Sequence, residues 1–188
     1  MKKVRSFIAI ELSEQARLEL ARVADTLKSS GAAVKWVKPE SVHLTLKFLG
    51  EVEEDRLVRV AEKLKDIAKG TSPFEFVLEK IGVFPKWEYA KVLWIGLAGG
   101  SDEVKEIVSR AERVLQKEGF DKEKRAYTPH LTLGRIRSAK RKKELRELTE
   151  KTRVNPVPSR VSRIILFKSE LTPEGAVYTE MASAELAG

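Results

Sequence analysis

The sequence predicts an α+β fold of two similar lobes, with antiparallel or mixed sheets lining a central cleft and helices outside. Three observations carry that prediction. The tetrapeptide His-Leu-Thr-Leu occurs at His43–Leu46 and again at His130–Leu133, an offset of 87 residues between positions 43 and 130. The same offset carries the apolar run Phe7-Ile8-Ala9-Ile10 onto Trp94-Ile95-Gly96-Leu97, and Phe76-Val77-Leu78 onto Arg163-Ile164-Ile165. A serine, Ser13 or Ser101, then precedes a helix-periodic segment in each half. The chain thus reads as a duplicated strand–helix–strand–strand–helix module, its halves related by an approximate twofold axis. Repeats of this kind often place equivalent elements face to face. The modules fall at about 4–70 and 90–151, with strands at 74–84, 160–171 and 176–186 completing the sheets of one bilobal domain spanning 1–188.

Each element follows from local pattern. Val4 to Leu12 reads as a strand whose centre is a buried apolar run. Ser13 is placed to cap a helix in which Leu18, Leu20, Ala21, Val23, Ala24 and Leu27 recur at helical spacing before Gly31. Val34–Val37 and Val42–Leu49 read as strands joined by a turn at Pro39. Glu53, Glu54 and Asp55 suit the positive end of a helix dipole, and that helix runs to about Lys69 before Gly70. Phe74–Phe84 and Lys91–Leu97 are strands around a loop carrying Pro85, Trp87 and Tyr89. Ser101 is placed to cap a helix ending at Gly119, with Val104, Ile107, Val108, Ala111, Val114 and Leu115 on one stripe. A strand from His130 to about Arg137, a short basic helix near Ala139–Lys151, and strands Arg160–Leu171 and Ala176–Leu186 complete the chain.

Composition narrows the function classes. At 188 residues and 42% hydrophobic the chain can bury a core, which excludes wholesale disorder. Its longest uncharged apolar stretch, Val92–Ala98, is far short of the ~20 residues that cross a bilayer. Phe7–Ile10 ends at Glu11, too short for a signal-peptide core, so a cytoplasmic location is expected. Absence of cysteine excludes disulfides, zinc ribbons, iron–sulfur clusters and thiol catalysis. Thirty-six Lys and Arg against 28 Asp and Glu leave a net charge of +8, which favours a polyanionic partner, nucleic acid above all. Charged residues at 34% with a single Asn and two Gln match proteins from hot environments, and a high melting temperature is expected.

The two histidines of the chain both open the repeated tetrapeptide. Strand alternation puts His43 beside Thr45, and His130 beside Thr132, while the leucines point inward. If the halves face each other, the cleft holds two imidazoles and two hydroxyls. One neutral ring can take a proton from water while a protonated ring gives one to a leaving alkoxide. Threonine hydroxyls can donate to non-bridging phosphate oxygens. Displacement at a phosphodiester needs these functions and little else, and a strained 2′,3′-cyclic phosphate is the natural candidate. A metal site would need carboxylates, which neither tetrapeptide carries, although Glu40 and Glu51 lie within reach in sequence and keep that alternative open. No Gly-x-Ser-x-Gly, Gly-Lys-Ser/Thr or Gly-x-Gly-x-x-Gly signature is present, so no nucleotide cofactor is expected.

His43-Leu44-Thr45-Leu46-Lys47-Phe48-Leu49-Gly50 and Pro129-His130-Leu131-Thr132-Leu133-Gly134-Arg135 resemble the two signatures of the 2H phosphoesterase superfamily. Length and flanks are most similar to its RNA 2′,3′-cyclic phosphodiesterases, historically called 2′-5′ RNA ligases. The resemblance covers the chain from Val4 through Glu185. It implies histidines facing each other across a groove and metal-independent opening of a terminal 2′,3′-cyclic phosphate to a 2′-phosphomonoester. It also implies a reverse-sense 2′-5′ joining activity. By the same analogy His130 activates water and His43 protonates the departing 3′-oxygen. RNA ends with cyclic phosphates, such as tRNA fragments, are the implied partner, and a monomer is expected.

Arg135 is the candidate phosphate clamp, since guanidinium binds phosphate through paired hydrogen bonds. Strict alternation would point it away from His130, and a bulge or strand end at Gly134 would re-aim it. Phe48 occupies the equivalent place after His43, either stacked on a base or packed in the core; both readings stand at this level. The basic run from Arg135 to Arg146 offers a phosphate-tracking path. The loop aromatics Phe84, Trp87 and Tyr89 read either as a base platform or as a cap over the core; core or cap is the commoner arrangement, and they stay outside the candidate site. Two other functions share these features: a non-catalytic protein that holds RNA ends, and a phosphodiesterase acting on another small cyclic phosphate.

Overall fold

In the computed structural model, which describes residues 3–173 and 175–188, the apolar run Phe7–Ile10 belongs to a strand buried on both faces. This strand, β1 (Lys3–Ile10), is central in a four-stranded sheet of order β3-β1-β8-β9. Its neighbours are β3 (Leu44–Glu53), β8 (Arg163–Thr172) and β9 (Gly175–Glu185). A five-stranded sheet has the order β2-β6-β5-β4-β7. It contains β2 (Val34–Trp36), β4 (Phe74–Phe84), β5 (Val92–Ala98), β6 (Leu131–Ile136) and β7 (Pro158–Val161). Every strand pair in both sheets is antiparallel.

The helices are α1 (Glu14–Lys28), α2 (Glu54–Ala68), α3 (Ser101–Lys117) and α4 (Lys142–Lys151). α2 and α3 pack together over the first sheet, with α3 against β3 and α2 against β8 and β9. On the second sheet α1 lies against α4 and β7. We call the first assembly lobe A and the second lobe B.

The duplication is thus exchanged between lobes. With the 87-residue offset, β1, α1, β3, α2 and β4 correspond to β5, α3, β6, α4 and β8. Lobe A takes β1, β3 and α2 from the first repeat but α3 and β8 from the second; lobe B has the reciprocal set. One continuous apolar core runs through both lobes, from Ile8 and Leu44 to Leu93, Leu131 and Leu145.

Three local expectations are corrected. The strand expected over 160–171 is two strands, β7 in lobe B and β8 in lobe A, because the chain crosses between sheets at Ser162. Ser13 caps α1 by accepting the Ala16 N–H at 3.2 Å, but Ser101 is already helical and Gly100, at φ 63°, precedes it. Leu18 points to solvent, since the buried stripe of α1 is Ala16, Glu19, Leu20, Val23, Ala24 and Leu27. Glu19 tolerates burial by pairing with Arg22 and accepting hydrogen bonds from Asn155.

Candidate active site

Both histidines stand immediately before their strands, at the mouth of β3 and of β6, rather than within the ladders. The two rings are held by one device. His43 Nδ1 lies 3.1 Å from the carbonyl of Ser41, and His130 Nδ1 lies 2.7 Å from the carbonyl of Thr128, each two residues upstream. A carbonyl only accepts, so each Nδ1 carries a hydrogen and each Nε2 is left to exchange protons. Both rings remain partly exposed. Thr45 and Thr132 follow one alternation step later, partly exposed, and among the described residues neither hydroxyl has a protein partner.

A β-bulge then changes the phase in each strand. In β6, Trp94 pairs with Thr132 and Leu93 with Gly134, so Leu133 is the extra residue. Leu133 and Gly134 both turn to the core, and Arg135 returns to the face of Thr132, exposed. Gly134 is required there: a Cβ would lie 2.6 Å from Val34. The expected re-aiming of Arg135 is therefore observed. In β3 the register skips Leu46 between Thr45 and Lys47, at the equivalent place. Lys47 is buried on the helix side, its Nζ donating to both oxygens of Glu112 and to the carbonyl of Asp121, each at 2.8 Å. Phe48 consequently joins the face of His43 and Thr45 and is 70% exposed, which excludes the core reading.

The rings have unlike surroundings. His43 packs against Phe167 and Tyr178, at centroid distances of 4.7 and 5.4 Å, and more distantly against Phe7. This burial lowers its pKa; the Ser41 carbonyl opposes the shift, Arg17 adds to it and Glu11 opposes it. An open hollow of about 370 Å³ beside His43 is lined by Arg17, Lys38, Phe167 and Tyr178 among others. His130 stands perpendicular to Phe84 at 5.0 Å, and Phe84 stacks on Trp94 at 4.8 Å. Trp94 lies across Gly82, where a Cβ would meet the indole at 2.3 Å.

The lobes are tied together beside these rings. Tyr127, three residues before His130, donates its hydroxyl to the carbonyl of Thr45 at 2.8 Å. Burial raises the Tyr127 pKa, so that donor keeps its proton. Arg135 of lobe B is within electrostatic reach of the Tyr178 hydroxyl of lobe A. These two links bring Thr45 and Tyr178 of lobe A beside Tyr127 and Arg135 of lobe B. Among the described residues no three His, Asp, Glu or Cys side chains gather into a metal-binding group, and Glu40 and Glu51 do not join the histidines in one. The basic run is less uniform than its sequence: Lys143 and Arg146 pair with Glu147 and Glu150 along α4, and Lys142 binds the Glu88 carbonyl.

Sequence reasoning left out Phe84, Trp94, Phe167 and Tyr178. Two of them carried a signal: Trp94 as the repeat equivalent of Phe7, and Phe84 as one of the loop aromatics that read as core or cap.

A family model described as LigT-like phosphoesterase matches the chain twice, over residues 10–94 and 95–178. The RNA 2′,3′-cyclic phosphodiesterase of Methanothermobacter thermautotrophicus is 42% identical over 184 residues, covering 95% of this chain and 97% of that protein. The protein of the same name from Aquifex aeolicus is 35% identical over the full length of both. A crystal structure from Thermus thermophilus superposes with a TM-score of 0.79 at 25% identity, covering 98% of each chain. Escherichia coli LigT complexed with 3′-AMP gives 0.77 at 21% identity over the whole of both, which shows the shared fold. Two matched repeats, the paired histidine strands and full-length relatives agree: the chain belongs to the LigT-like phosphoesterase family.

Proposed function

We propose that this protein hydrolyses RNA 2′,3′-cyclic phosphate ends to 2′-phosphomonoesters by paired imidazole acid–base catalysis. The observation that carries the reading is the matched pair: each imidazole has its Nδ1 hydrogen spent on a backbone carbonyl, its Nε2 free, and a threonine hydroxyl beside it. His130 Nε2 accepts a proton as water attacks phosphorus. The P–O3′ bond breaks, and His43 Nε2–H delivers its proton to the departing 3′-oxygen. Thr45 and Thr132 donate to the non-bridging oxygens, Arg135 clamps the phosphate, and Phe48 stacks on the terminal base. Burial favours the neutral His43 ring in the empty cleft, so the negative phosphodiester is what restores its proton.

With a 5′-hydroxyl end in place of water as the nucleophile, the same groups form a 2′-5′ linkage: His130 Nε2 takes the hydroxyl proton, the P–O3′ bond breaks and His43 Nε2–H protonates the departing 3′-oxygen. The names of the relatives support RNA as the substrate. A monomer acting on ends such as those of tRNA fragments completes the proposal. The deciding experiment incubates the protein with a nucleoside 2′,3′-cyclic phosphate in EDTA and determines product regiochemistry. A 2′-monophosphate formed at an undiminished rate is expected. No turnover would leave an RNA-end-binding protein, and turnover restored by a divalent ion would make the site metal-dependent.

A further inference from the structure

The bulge that turns Arg135 into the cleft has a second effect at the sheet edge. β2 pairs with β6 so that Lys35 stands directly opposite Arg135, and opposed residues of an antiparallel pair share one face. Val34, Trp36 and Ile136 pack against the core, which leaves Lys35 and Arg135, both exposed, on the cleft face. The pairing runs one step further, with the Arg137 N–H donating to the Ala33 carbonyl at 2.7 Å. The exposed Arg137 therefore continues along the face of Arg135.

Among the described residues none of these three cations has a carboxylate at ion-pairing distance, whereas Arg22, Lys47 and Arg163 are each paired. Like charges placed directly opposite destabilise a sheet. Lobe A has no counterpart: its β3 is an edge strand, and Phe48 and Gly50 occupy the places of Arg135 and Arg137. Lobe B thus presents a row of exposed cations, Arg135, Lys35 and Arg137, along its edge.

We propose that Lys35 and Arg137 bind the backbone phosphates on the 5′ side of the terminal nucleotide. The RNA chain leaves across β6 and β2 while its last base lies on the aromatic face of lobe A. This rests on the proposed function, and the test separates the two. Turnover is measured for a nucleoside 2′,3′-cyclic phosphate and for an oligoribonucleotide ending in the same group, with and without Lys35→Gln and Arg137→Gln together. The oligonucleotide-to-nucleoside ratio of kcat/KM falls about tenfold in the double variant. The salt dependence of the oligonucleotide reaction loses about 0.7 in log–log slope per contact removed.

Lys35→Glu supplies a readout that a merely structural lysine would not give. It puts an opposite charge across from Arg135, so Tm rises while the oligonucleotide ratio falls. A ratio and a slope unchanged in the double variant overturn the RNA path and leave the proposed hydrolysis standing. Failure of the unmodified protein to hydrolyse either substrate overturns the function and this inference with it.

Discussion

In lobe A the imidazole of His43 is packed among Phe7, Phe167 and Tyr178, whereas in lobe B His130 meets Phe84 and Trp94 beside a basic sheet edge. The backbone around each ring is nearly the same: a carbonyl two residues upstream, a threonine two residues on, and a bulge that re-aims the residue after it. Duplication thus accounts for the pair of similarly held imidazoles, and later divergence accounts for their unlike surroundings. Burial lowers the pKa of His43, and Phe48 stands in one repeat where Arg135 stands in the other.

The comparison breaks most sharply at the rings. His43→Ala and His130→Ala are each expected to lower kcat by about 10³-fold or more, with circular dichroism unchanged; substantial turnover in either variant would show that one lobe suffices. Thr45→Val and Thr132→Val come next, at about 10²-fold in kcat. Unequal losses would reveal which lobe carries more of the developing charge. Arg135→Ala and Phe48→Ala sharpen the contrast further. The first should reduce kcat and raise KM for every substrate. The second should raise KM about tenfold for nucleotides, within the roughly 1–3 kcal/mol of a base stack, and leave a base-free ribose cyclic phosphate unaffected.

The smallest effect is on pH dependence. With its folded pKa below the ordinary ~6.5, His43 binds fewer protons folded than unfolded. Its contribution to stability is complete above that value and is lost as pH falls through the folded pKa. Imidazole NMR, simplified by there being two rings, should show His43 titrating below the ordinary value and moving upward when a nucleoside 2′-monophosphate binds. A ring titrating at or above 6.5 without ligand would contradict the burial argument.

The repeated tetrapeptide made the duplicated modules and both histidine-bearing strands legible, because offset and alternation are properties of sequence. The bulge at Gly134 was also legible, since a glycine between apolar and cationic residues marks it. Its twin at Leu46 was not: it has no glycine and depends on a buried ion pair between Lys47 and Glu112, 65 residues away. Phe167 and Tyr178 escaped for a related reason. They reach His43 on β8 and β9, strands delivered by the other repeat, and no local pattern reports that crossing. The break at Ser162 was hidden because both flanking segments are good strands and only their destinations differ.

The exchange of a helix and a strand between repeats also bears on ancestry. A chain of half this length, carrying one imidazole, would lack an interior strand and a covering helix of its own sheet. It could obtain both only from a second copy of itself, reciprocally, in a swapped homodimer with its reaction centre on the symmetry axis. Two such polypeptides become one by a single fusion, after which each ring is free to mutate its neighbours independently. Cutting the present chain in the segment 85–91, which joins β4 to β5, should accordingly yield fragments inert alone and active once mixed.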